Sequence, residues 1–233
     1  MPEHSSTGFS PALCWDKDGA ELFAAALSPA DLDSLDAISG SLLSARPGAR
    51  ITDARPLTLS LREGSAMDRI AKGALGPKGR PVRAVMFDKT AAINWAVGWH
   101  QDRTVVVVEH RSAPGYGPWT IKDGLIQVEP PFAVIDRMVT LRAHLDDCDE
   151  DNAPLMIVPG SHRLGRIPVG DVPEIVTAGP TKICEARRGD VWLYATAILH
   201  ASEPARAPRR RRVLHVDYAA DPLDHGLEWR GLL

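Results

Sequence analysis

The chain has 233 residues, 44% hydrophobic and 24% charged, a globular composition long enough to bury a core without covalent staples. Its net charge of −3 and pI near 6.2 do not mark nucleic acid or an anionic membrane as the main partner. Cys14, Cys148 and Cys184 are too scattered for a disulfide framework or a C-x-x-C zinc site, the stretch MPEHSSTGFS is polar and lacks the basic-then-apolar pattern of a signal peptide, and no apolar run reaches the roughly 18 residues a spanning helix needs. A reduced, cytoplasmic protein is expected.

Helical signals crowd into the first third. In SPADLDSLDAISGSLL, Ser28 is a suitable N-cap, Pro29 fits the first helical position, and Leu32, Leu35, Ile38 and Leu42 make one apolar stripe. That stripe predicts a helix packed on a sheet. A second helix is expected from Ser65 to Leu75, stopped by Gly76-Pro77. From residue 80 the period changes to two, in PVRAVMF, NWAVGWHQD, TVVVVEH, AVIDRMVTLRAHL, LMIVPG, TKICEA, DVWLYA and RRVLHVDYA. Gly, Pro, Asp and Asn separate these runs, so a helical preface (1–80) followed by a double-sheet β core (81–220) in a single domain is expected. The Pro/Gly-rich stretch 111–131 reads as a long loop, a lid carrying Tyr116 and Trp119 over a substrate.

Two strand faces matter. In 138–145, Val139, Leu141, Ala143 and Leu145 form an apolar face. The opposite face, with Met138, Thr140, Arg142 and His144, lines either a cavity or solvent. If it is internal, Thr140 and Arg142 are candidates to touch substrate, and Arg142 implies an anionic group there. In NWAVGWHQD, an unbroken strand would set Asn94, Ala96, Gly98, His100 and Asp102 on one side and Trp95, Val97 and Trp99 on the other. His100 and Asp102 would then project together, one imidazole and one carboxylate, with small residues leaving room for an ion.

Alone, H-x-D is a common accident. Downstream, however, DVWLYATAILHAS ends near His200, and Arg211 follows eleven residues later. Two histidines and one carboxylate leave half an octahedron open, an arrangement suited to non-haem Fe(II) that must also bind a co-substrate and dioxygen. A bidentate 2-oxo acid would need its distal carboxylate gripped by an always-charged fork, which arginine supplies. Ser202 could add a hydroxyl to the same carboxylate.

With these pieces in place the sequence resembles the phytanoyl-CoA dioxygenase family. The resemblance lies in FDKT…NWAVGWHQDRTV, HLDDCDEDNAPLMIVPGSHRLG and GDVWLYATAILHAS…RRRRVLHVDYA, in family order over most of 80–220. It implies a jelly roll (double-stranded β-helix, cupin-like) with N-terminal helices on one sheet. It also implies Fe(II), 2-oxoglutarate and dioxygen as cofactor and co-substrates, release of succinate and carbon dioxide, and hydroxylation of a small molecule. His100, Asp102 and His200 match the iron ligands, Arg211 the co-substrate's arginine and Ser202 its hydroxyl helper, with Lys89 or Asn94 also within reach of the co-substrate. A carboxylate at Asp102 argues for oxygenation, since related halogenases carry Ala or Gly there. Where many members read Asn-Gly, this chain has Asn152-Ala153, which predicts an altered loop.

Other readings stay open at this level. A divalent-metal hydrolase or a non-catalytic ligand-binding jelly roll would share the scaffold. The run Arg206–Arg212 could contact nucleic acid, although such runs are usually solvated loops. His144, His162 and His215 read as structural, and Trp95 and Trp99 as core. The sequence sets neither monomer nor homodimer.

Overall fold

The computed structural model describes residues 12–42 and 48–232. Its N-terminal part holds α1 (Trp15–Asp18), β1 (Ala20–Phe23), α2 (Pro29–Leu42), β2 (Gly48–Arg50), α3 (Thr58–Leu61) and α4 (Ala66–Leu75). Ser28 caps α2: its hydroxyl accepts from the Asp31 N–H at 3.2 Å and donates to the Asp31 carboxylate at 2.6 Å. Ser65 caps α4 by accepting from the Asp68 N–H at 3.1 Å. Leu35 and Ile38 are buried, Leu32 packs against them, and the Leu42 side chain lies outside the described residues. The first eighty residues are not purely helical, because β1 and β2 complete the main sheet at its two edges.

The remaining strands are β3 (Arg80–Lys89), β4 (Val97–His100), β5 (Val105–Val107), β6 (Trp119–Lys122), β7 (Leu125–Val128), β8 (Met138–His144), β9 (Leu155–Ile157), β10 (Lys182–Cys184), β11 (Val191–Ala195), β12 (His200–Ser202) and β13 (Arg211–Ala219). They form a six-stranded sheet ordered β1-β11-β8-β13-β3-β2, a four-stranded sheet β10-β9-β12-β4 and a small sheet β5-β7-β6. Every strand pair is antiparallel. The two larger sheets are the layers of a jelly roll.

Alternation along the main sheet sorts residues into two environments. Outward-facing Met86, Leu141, Ala143, Leu193, Leu214 and Val216 pack under Leu35, Leu57, Leu61 and Met67 of the helical layer, all buried. Each such side chain contributes about 1.5–3 kcal/mol through burial. The inward face carries Arg83, Phe87 and Lys89 on β3, Thr140, Arg142 and His144 on β8, and Arg211, His215 and Asp217 on β13. All seven residues of β8 are buried, so its polar face looks inward rather than to solvent. Leu155, Ile157, Trp192 and Tyr194 form an apolar cluster between the sheets.

Two expectations change. Residues 111–131 are not an open loop: β6 and β7 make a hairpin, turned at Asp123-Gly124, that pairs with β5. Trp119 and Tyr116 pack there against Val105, Val128 and Leu223, and apolar burial fixes them in that cluster rather than over a substrate. The run beginning AVID opens as a short helix, α5 (Phe132–Ile135), before β8 starts.

Candidate metal centre

β4 and β12 lie side by side with His100 directly opposite His200. The next matched pair is Val97 with Ser202, so three steps of β4 oppose two of β12, a bulge. The extra residue breaks the simple alternation expected for 94–102. Trp95 and Val97 turn towards the same cavity as His100 and Asp102, whereas Trp99 packs with Val158, Ile167 and Leu199.

The ligand atoms of His100, Asp102 and His200 all lie within 4.8 Å of one another. The ring centroids of the histidines are 4.3 Å apart, and His200 Nε2 is 3.9 Å from Asp102 Oδ2. Each imidazole is oriented by its own strand. His100 Nδ1 sits 2.7 Å from the Gly98 carbonyl and His200 Nδ1 3.0 Å from that of Ile198. A carbonyl only accepts, so Nδ1 carries the hydrogen and Nε2 keeps its lone pair for a metal. Burial pushes the His200 pKa down to about 4 despite the nearby Asp102 carboxylate, which keeps the ring neutral at pH 7. Burial opposes ionisation of Asp102, but His200, Arg83 and His215 outweigh it and hold the carboxyl below its usual range.

The residue between the ligands has its own task. Gln101 is buried and donates to the carbonyls of Gly165 (2.9 Å) and Ala197 (2.7 Å), while its oxygen accepts from the Ile167 N–H (2.9 Å). It pins the H-x-D segment to its neighbours. The PGSHR turn supports the other side: Ser161 Oγ accepts from the Leu199 N–H at 2.9 Å, just before His200.

From the histidines a cavity runs to Arg211, lined along the way by Phe87, Lys89, Trp95, Arg142, Leu155 and Ser202. Arg211 is 2% exposed, and its Nε and Nη1 have no hydrogen-bond partner among the described residues. Burial, then the neighbouring Arg142, brings its pKa down to about 10, so it stays charged at pH 7. A buried guanidinium without a carboxylate is costly unless an anion joins it. Ser202 Oγ donates to the Ala153 carbonyl (3.0 Å) and accepts from Lys89 Nζ (3.1 Å). Lys89 also sits 4.9 Å from the centre of the Trp95 ring. This donor set fits both groups that the sequence implies: free Nε2 lone pairs beside a carboxylate for a divalent metal, and orphaned N–H groups for an oxyanion.

A family model described as Phytanoyl-CoA dioxygenase (PhyH) matches residues 63–213. The chain belongs to this family. It is thus an oxygenase of the non-haem iron and 2-oxoglutarate-dependent class, with dioxygen as second co-substrate. Solved structures share the fold. AviO1 from Streptomyces viridochromogenes Tue57 is 20% identical, with 90% of this chain and 94% of that one covered at a TM-score of 0.65. EctD from S. alaskensis with bound Fe is 18% identical, with coverages of 90% and 76% and a TM-score of 0.66. HygX from Streptomyces hygroscopicus with nickel, 2-oxoglutarate and hygromycin B bound is 16% identical, with coverages of 93% and 87% and a TM-score of 0.60. No curated protein sequence matches this chain.

Several expected site residues of this dioxygenase-family chain stand away from the cavity. Both ends of the Asn94 amide are taken by the Ala205 backbone (2.9 and 2.7 Å), so it clamps a loop instead of facing a co-substrate. Thr140 is fully buried and bonded to Asp217 (2.9 Å) and Thr196 (3.0 Å). Trp119 belongs to the hairpin cluster. The arginine run is neutralised locally: Arg206 pairs with Asp151, Arg209 with Asp149, Arg210 with Asp88, and Arg212 with Asp36 and Asp146. Arg211 alone of these enters the cavity.

A second cavity continues from the first, sharing Phe87, Trp95, Asp102 and His215 and adding Gly48, Arg50, Arg83 and Val85. Here sequence reasoning missed a buried network. Asp217 accepts from Arg83, from Thr140 and, at 3.0 Å, from His215 Nε2. Arg83 also lies 3.9 Å from Asp102. Counting by twos from Arg211 and from Lys89 would have placed His215, Asp217 and Arg83 on the inward face.

Proposed function

We propose that the chain uses Fe(II) and 2-oxoglutarate to hydroxylate a small molecule, with His100, Asp102 and His200 as the iron ligands. One observation carries the reading. The three ligand atoms converge at one end of a cavity whose other end holds a buried arginine with no anion beside it among the described residues. When bound, iron would activate dioxygen, the oxidant, while 2-oxoglutarate would donate two electrons and leave as succinate and carbon dioxide.

The chain's own residues set the geometry. Gly98 and Ile198 fix the imidazole tautomers, Gln101 holds the segment between the first two ligands, and Arg83 steadies Asp102. Arg211 grips the distal carboxylate of the co-substrate, and Lys89 and Ser202 complete that cradle. Phe87, Trp95 and Val97 form apolar walls that exclude water from the reacting centre. The substrate enters through the second cavity, between Phe87 and Trp95 and beside His215. A metal hydrolase would leave Arg211 without a purpose, and the paired arginines around it offer nucleic acid little free charge. Three unpaired cysteines support action in a reducing cytoplasm.

The test is to load the protein with Fe(II) and 2-oxoglutarate without oxygen, admit oxygen, and measure succinate and hydroxylated product across a panel of small metabolites. His200→Ala is expected to abolish succinate formation. Succinate production that survives this substitution would refute the ligand assignment.

A further inference from the structure

The cavity holds more positive charge than the co-substrate can use. Lys89, Arg142 and Arg211 all line it, and Asp102 is the one carboxylate among its lining residues. In the loaded site the iron's two charges are matched by the dianionic co-acid, and Asp102 offsets one of the three side chains. Lys89 can shed its proton, since burial and the two arginines lower its pKa to about 8. Arg142 cannot.

Arg142 also lacks an anionic partner among the described residues; beside it stands the Tyr194 phenol, which burial keeps neutral. Arg142 is buried, its Nε has no hydrogen-bond partner, and among the described residues it has no ion pair. Its neighbour in the cavity is the Phe87 ring, 5.8 Å from the guanidinium carbon. Arg83, on the same inward face, pairs instead with Asp217 and Asp102. In the sheet Arg142 stands directly opposite His215, which lines both cavities. That register sets Arg142 beside the junction of the co-substrate cavity with the entrance used by the substrate. A charged group buried without an anion is strongly unfavourable, and no described residue supplies one to Arg142.

We propose that Arg142 binds an oxyanion substituent of the substrate, a carboxylate, phosphate or sulfate, separately from the hold of Arg211 on 2-oxoglutarate. This rests on the function proposed above, and it restricts the substrate class to anionic molecules.

Inorganic sulfate is the probe, because it needs no shape match. It is titrated calorimetrically into the anaerobic Fe(II)–2-oxoglutarate protein, with chloride holding the ionic strength constant. Sulfate is expected to bind without displacing 2-oxoglutarate. Arg142→Gln should weaken sulfate by about tenfold or more, the loss of one charge-assisted contact, and keep 2-oxoglutarate affinity within about threefold. Retained 2-oxoglutarate binding also reports that the variant is folded. Arg142→Lys, which keeps the charge, should lose less, and it carries the comparison if the Gln variant does not fold. Three outcomes overturn the proposal: sulfate competes with 2-oxoglutarate, Arg142→Gln costs as much 2-oxoglutarate affinity as Arg211→Met, or sulfate binds both proteins alike as an adventitious ion only. If the unaltered protein with Fe(II) fails to bind 2-oxoglutarate at all, the functional reading itself falls, and this inference with it.

Discussion

Replacing Arg211 with methionine separates binding from stability, because the two should move in opposite directions. Arg211 is almost fully buried, two of its nitrogens have no partner, and no carboxylate pairs with it among the described residues. A charge-assisted hydrogen bond contributes about 1.5–3 kcal/mol. A bidentate grip on the distal carboxylate is therefore worth roughly 3–6 kcal/mol, or about 10²–10⁴-fold in 2-oxoglutarate affinity. Without ligand, the substitution removes a charge that burial disfavours and keeps an apolar stem of similar length. Stability of the metal-free protein is then expected to be unchanged or to rise by about 1–4 kcal/mol. Calorimetric titration of 2-oxoglutarate into the Fe(II) protein under nitrogen reads the first quantity, and urea unfolding of the apo protein the second. A dissociation constant within about threefold of the starting protein would refute the anchor assignment. A large loss of stability would instead make Arg211 a structural residue.

Four further outcomes follow from the same geometry. Lys89 is protonated below its pKa of about 8, so its attraction for the co-substrate is present at pH 7; 2-oxoglutarate affinity should begin to fall above pH 8, and Lys89→Met should flatten that dependence. Gln101→Ala removes three hydrogen bonds in a buried setting and should cost roughly 2–4 kcal/mol in urea unfolding, with weaker metal retention in dialysis. Asp217→Asn leaves Arg83 and His215 without their shared carboxylate and should destabilise by about 3–5 kcal/mol; a thermal midpoint unmoved from the parent's would remove Asp217 from its structural role. Ala153 sits at φ 55 in the left-handed region, where a side chain costs about 1–2 kcal/mol. Ala153→Gly, after the entropy that glycine loses on folding, should raise stability by about 0.5–1 kcal/mol.

That last position shows what a sequence can and cannot carry. The resemblance predicted an altered loop at Asn152-Ala153; in the structure Ala153 takes a left-handed backbone, its carbonyl accepts from Ser202 and the Asn152 side-chain oxygen accepts from the Arg209 N–H. Long, regularly alternating strands were legible: β3, β8 and β13 follow from their period, and with them which residues share a face with Arg142 and with Arg211; that the Arg142 face looks inward rather than to solvent was not, because only the packing around β8 decides it. The capped helices at Ser28 and Ser65 were equally legible, because their signals are local. The bulge in β4 was not, since it depends on which residue of β12 lies opposite, and it moves Trp95 and Val97 into the cavity. The β6–β7 hairpin was hidden by short, Pro/Gly-rich flanks, although Asp123-Gly124, both at positive φ, is a hairpin turn signal. Asn94 and Thr140 have the right chemistry for a site, but nearby backbone and carboxylate groups take up their hydrogen bonds. Only tertiary contacts reveal that.

The central claim is that iron sits on His100, Asp102 and His200 and that its organic partner reaches back to Arg211. A neighbouring cluster, Asp102, His215 and Asp217, also brings ligand atoms within 4.8 Å of one another, so the claim has a concrete competitor. A crystal structure of the protein grown under nitrogen with Fe(II) and 2-oxoglutarate decides between them. The expected result is one iron bonded to Nε2 of both His100 and His200 and to the Asp102 carboxylate at about 2.0–2.2 Å, with the distal carboxylate on the Arg211 guanidinium. Iron bonded to His215 and Asp217, or 2-oxoglutarate turned away from Arg211, would contradict it.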